Sequence, residues 1–171
     1  MKRNRLSVAL TALLLTTAAA AMSTKDRDEL EAKIRALDKE SVHKLVTAVE
    51  ADPLSEMAEV VRPALMVYFE PLDYTVCLDQ IGFLMDAKPE VLMNVFWQVV
   101  FSSGDFFLQQ PEQSRDRLKY MQAGLESGLR VYERILTAKP GARHAKLDEL
   151  VRLRSEGRLG DYVRANPCVD R

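Results

Sequence analysis

The chain has 171 residues, 47% of them hydrophobic and 29% charged, with a formal net charge of −1. That is the make-up of an ordinary globular domain, and the slight acidity argues against a nucleic-acid partner.

The N-terminus carries Lys2, Arg3 and Arg5, followed by 16 uncharged residues from Leu6 to Ala21 that end in small side chains. This is the charged, apolar and small-residue succession of a secretory signal peptide. Residues 1–21 are therefore expected to be a leader and residues 22–171 one helical domain, placed in the periplasm or outside the cell. The apolar run is shorter than the ~20 residues a spanning helix needs, and no cysteine stands at the cleavage region. No membrane anchor is expected after cleavage. A retained anchor, or a cytoplasmic product starting at Met22, is the alternative.

Proline punctuates the remainder of the chain. Pro53, Pro71, Pro89, Pro111 and Pro140 each precede a helical pattern, as expected of a residue tolerated in the first helical turn. Residues 24–50 place Leu30, Ile34, Leu37, Leu45, Val46 and Val49 on one face. Residues 53–69 form a second helix, which Pro63 is expected to bend or split. Residues 72–86 form a third, carrying Cys77 among Tyr74, Leu78, Ile81 and Leu84. Residues 90–109 form a fourth and 112–138 a fifth, with Gly124 and Gly128 marking close packing. Residues 143–156 form a sixth, with Gly157 as its stop signal and a last turn at Tyr162 and Val163. Strand signals are scarce. The fold class read from this pattern is all-α, a compact bundle of about six amphipathic helices.

The two cysteines, Cys77 and Cys168, are expected to pair, since an even number in an oxidising compartment reads as one disulfide. Closing so long a loop is worth roughly 4–5 kcal/mol on chain-entropy grounds. A buried free thiol at Cys77 is the competing reading. Residues 22–112 carry a charge of −9 and residues 113–171 one of +5. The two parts are expected to complement each other within the domain.

Catalytic signatures are missing: there is no G-x-S-x-G, H-E-x-x-H, C-x-x-C or phosphate-binding glycine motif. His43 and His144 stand alone, without the spacing of metal ligands, and neither metal nor cofactor is expected. A Cys77–His144 nucleophile pair needs a free thiol, which the disulfide consumes. The methionines coincide with apolar faces and read as core rather than copper ligands. "YFEPLDY" at 68–74 reads as a corner between helices.

The segment "VLMNVFWQVVFSSGDFFLQQ" is apolar, yet Glu90, Asn94, Gln98, Ser102 and Asp105 fall within about 120° on a helical wheel. The first reading is a narrow solvent-facing edge. Phe101 lies inside that sector with Trp97 beside it, which supports a second reading. In that one Asn94, Trp97, Gln98 and Phe101 form a protein-recognition patch. The functional expectation is accordingly an exported recognition module, such as an inhibitor, immunity-type protein or accessory subunit. Two alternatives are a carrier holding an apolar ligand between 72–86 and 90–109, and an envelope hydrolase with a perturbed carboxylate pair.

Overall fold

The computed structural model describes residues 23–113 and 116–168, so the expected leader lies outside the described residues. The long first helix is in fact two. Helix α1 (Thr24–Arg35) is opened by a Ser23–Asp26 capping box, and helix α2 (Lys39–Ala51) starts where the Asp38 carboxylate accepts from the Ser41 N–H. An aspartate that satisfies a new set of N-terminal donors is a helix start, not a mid-helix residue. Val42, Val46 and Val49 of α2 are buried, whereas α1 buries nothing fully.

Helix α3 (Glu56–Phe69), capped by Ser55, runs unbroken through Pro63. Pro63 and Glu59 are both exposed, so the carbonyl that proline leaves without an intrahelical donor is open to water.

The third expected helix is largely absent. Residues 73–77 are non-helical, followed by the single-turn α4 (Leu78–Ile81) and a 3-10 segment, Gly82–Asp86. Tertiary bonds have replaced helical ones there. The Tyr120 hydroxyl donates to the Thr75 carbonyl at 3.1 Å, and the Thr75 N–H points back at it. Tyr74 donates to the Val100 carbonyl and packs against the rings of Phe69, Phe107 and Tyr120.

Helix α5 (Pro89–Gln109) has proline in its first turn, as expected. Pro111 and Pro140 open 3-10 turns instead, which delays helix α6 (Arg117–Ala138) and precedes helix α7 (Ala145–Ser155). Gly157, at φ +70°, turns the chain into helix α8 (Leu159–Ala165). The fold is therefore all-helical, a bundle of eight α-helices among the described residues and without a strand.

Helix α5 is its axis. One apolar cluster joins α5 to α6, α7 and α8, and a second joins it to α2 and α3 through Phe101. By length and composition α5 is apolar enough to cross a membrane, but more than half of its most apolar 18-residue stretch is buried inside the bundle. It is the core helix.

The cysteines pair as expected. Cys77 and Cys168 are at bonding distance, with Cα atoms 5.2 Å apart, inside the usual range for a disulfide. The bridge fastens the tail beside α4, where buried Gln80 donates to the carbonyls of Val163 and Asn166. Tyr162 donates back to the Gln80 carbonyl at 2.8 Å.

Helix α5 packs directly onto α6 at the two glycines. A Cβ on Gly124 would sit 2.7 Å from the Val99 carbonyl oxygen, and one on Gly128 2.7 Å from a Val99 methyl. Alanine gains up to ~1 kcal/mol of helix propensity, but a carbonyl in a packed helix cannot step aside as a side chain can. Gly124→Ala is expected to lower stability to urea by about 1–3 kcal/mol, read from the unfolding midpoint.

Candidate functional site

The polar line on α5 is not a solvent-facing edge. Gln98 has no exposed surface and Asp105 is 8% exposed, because α2 and α6 close over that side of the helix. The Gln98 amide nitrogen lies 3.0 Å from the hydroxyls of both Ser102 and Ser127 and 3.4 Å from the Val46 carbonyl. Ser102 donates to the Ser127 hydroxyl at 2.7 Å, and Ser127 donates to Glu50 at 2.5 Å. Glu50 then accepts from Nε and Nη2 of Arg130, each at 2.7 Å. The result is a continuous seam across α5, α6 and α2. It also joins the acidic part of the chain to the basic part through the Glu50–Arg130 pair.

Where the seam meets solvent it forms one wall of a cleft of about 480 Å³ between α2, α5 and α6. Glu50, Ser127 and Arg130 line it as one polar group and His43 and Asp105 as another, with Val46, Thr47, Phe106 and Ala123 among the remaining wall residues. His43 Nδ1 is 2.6 Å from Asp105 Oδ2. A carboxylate accepts, so Nδ1 carries the proton and the ring is oriented with Nε2 as its remaining polar atom. Gln109 donates to the other Asp105 oxygen at 3.3 Å and to the Lys39 carbonyl at 2.9 Å.

Burial opposes charge on Glu50, but the hydrogen bonds from Arg130 and Ser127 and the charges of Arg130 and Arg134 outweigh it. Its carboxyl is held below the usual range, so Glu50 is a fixed anion and not a proton donor. Among the described residues no three His, Cys, Asp or Glu side chains converge on a metal position.

The four residues expected to form a recognition patch do not share a surface. Gln98 faces the seam. Phe101 is fully buried, stacked between Phe69 and Trp97 at centroid distances of 5.9 and 5.7 Å. Asn94 accepts from Arg62 and donates to the Glu90 carbonyl, which makes it part of the joint between α3 and α5. Trp97, partly exposed, and Phe101, below the surface, both border a groove of about 320 Å³ that Met66, Glu70, Leu72, Val76 and Val100 also line. His144 is remote from any nucleophile role: it caps α7 and stacks on Phe83.

Sequence reasoning missed the His43–Asp105 and Glu50–Arg130 pairs, whose partners are 62 and 80 residues apart. One local signal existed. His43 and Glu50 are two turns apart and flank the valine face of α2, so both border whatever that face packs against. No family model, curated protein or solved structure matches this chain.

The Glu50 carboxyl titrates below its unfolded value. Its stabilising contribution is therefore complete above about pH 4.5 and is lost as pH falls through the lowered folded value. Glu50→Gln is expected to cost about 1–3 kcal/mol near pH 7. Urea titrations of both proteins should show that gap closing below the usual carboxylate range.

Proposed function

We propose that this chain is an exported helical module that recognises a basic, amphipathic segment of another protein through the groove at Trp97. The carrying observation is Trp97 itself, a large aromatic at the rim of an apolar groove rather than inside the core. Met66 and Met93 beside it are 42% and 52% exposed, and flexible thioethers adapt to varied apolar partners. Glu70 lines the groove, paired with the exposed Arg35 at 3.1 Å, and the stretch that follows is acidic, with Asp73, Asp79, Asp86 and Glu90 against the single cation Lys88 through residue 90. An apolar groove beside an acidic stretch complements a partner with apolar anchors and lysine or arginine at its edges. The export reading is supported by the leader-like residues 1–21 and by a disulfide suited to an oxidising compartment.

The carrier reading places an apolar ligand between residues 72–86 and α5, which is where the groove runs. At about 320 Å³ it is at the small end of ligand cavities, roughly 300–1,000 Å³, and it lies open. It suits one or two anchoring side chains better than a lipid chain. The hydrolase reading looks for a carboxyl poised to give up a proton, and the depressed Glu50 does not supply one.

The test uses the full chain, expressed with its own N-terminus and recovered from the periplasm, where export predicts a mass beginning near Met22. Trp97 is the chain's only tryptophan, so its fluorescence reports on the groove directly. A designed leucine–lysine amphipathic peptide should shift that emission saturably, and its leucine–glutamate counterpart should not. Glu70→Lys, an exposed change, should weaken the leucine–lysine peptide severalfold. Trp97→Ala should cost at least about 2 kcal/mol of binding by calorimetry. An unmoved emission, or equal responses to both peptides, refutes the reading.

A further inference from the structure

The cleft between α2, α5 and α6 is separate from the Trp97 groove, and its hydrogen bonding has a direction. All four carboxylate oxygens of Asp105 and Glu50 are already engaged, by His43, Gln109, Arg130 and Ser127. What stays open belongs to the basic partners. Arg130 uses Nε and Nη2 on Glu50, which leaves Nη1 and the second Nη2 hydrogen with no partner among the described residues. His43 uses Nδ1 on Asp105 and likewise leaves Nε2. The carboxylates hold the bases in place, and the bases face the cleft.

We infer that this cleft binds a short aliphatic dicarboxylic acid, one carboxylate on the open edge of Arg130 and the other on His43 Nε2. The open guanidinium edge, with its parallel N–H groups, matches a carboxylate in bidentate fashion. At the other end Nδ1 already carries the proton it donates to Asp105, so Nε2 meets the second carboxylate when the ring takes a further proton from solvent and donates from both nitrogens.

The helix sets the scale of the site. His43 and Glu50 are seven residues apart, which is about 10 Å along α2 at 1.5 Å per residue, and Arg130 is held on Glu50. A short chain between the two acid groups is of that order, and the titration series reads which length fits best. The ligand's methylenes would lie against Val46, Phe106 and Ala123, the apolar side chains that line the same cleft. The cleft volume of about 480 Å³ accommodates such a molecule with room for water.

Titration calorimetry of the full chain with sodium succinate, glutarate and adipate, against acetate and propionate at matched ionic strength, tests this. At least one dicarboxylate should bind saturably, one to one, at least tenfold more tightly than acetate. His43→Leu should bring the dicarboxylates down toward acetate, with an unchanged circular dichroism spectrum showing that the fold is kept. Ala123→Leu keeps both polar pairs and adds bulk to the apolar lining of the cleft, and should weaken the dicarboxylates at least tenfold. The inference is overturned by the absence of saturable heat, by equal affinity for acetate and the dicarboxylates, or by wild-type binding in Ala123→Leu.

Discussion

Helices α5 and α6 approach so closely at Gly124 and Gly128 that neither position has room for a side chain of its own, and the rest of the molecule is arranged around that contact. The absence of a Cβ at two positions one turn apart brings the Val95–Val99 stretch of α5 against the α6 backbone. At that separation a serine is long enough to reach across. Ser127 lies between the two glycines in sequence and meets both Ser102 and Gln98. A wider crossing filled by leucines would have put those hydroxyls out of range of one another.

The seam that results binds a third helix. Gln98 reaches the Val46 carbonyl and Ser127 reaches Glu50, both on α2. Buried polar groups cost several kcal/mol when unpaired and little when paired, so a seam of this kind favours one register of three helices over slipped alternatives. It is not fully satisfied, since the Gln98 carbonyl oxygen has no protein partner among the described residues. At its outer end the seam becomes chemistry: Glu50 fixes Arg130, and Asp105, one turn beyond Ser102, fixes His43. A structural device and a polar cleft are thus built from the same residues.

Much of this architecture was readable from the chain. The valine face of α2, the glycine pair of α6 and the stop at Gly157 each act through local geometry, and each behaves in the structure as its residue type predicts. The Cys77–Cys168 pairing was legible from cysteine number alone. Residues 72–77 escaped because their helical pattern is overridden by Tyr74 and Tyr120, whose partners are distant in sequence. The polar stripe escaped for a different reason. A wheel shows that Gln98, Ser102 and Asp105 share a side, but not whether water or another helix lies there. Trp97 and Phe101 were grouped by the same wheel, which has no measure of depth, and one proved to be rim and the other floor. The ion pairs of the cleft join α2 to α5 and α6 and carried no mark beyond the position of His43 and Glu50 beside a buried face.

The claim on which this account rests is that the polar stripe of α5 is an internal, cooperative seam. A double-mutant cycle in urea with Gln98→Leu and Ser127→Ala tests it most directly. The account predicts that the pair of changes costs less than the sum of the two singles, by at least about 0.5 kcal/mol. Additivity within about 0.3 kcal/mol would mean that the two side chains do not interact, and would contradict it.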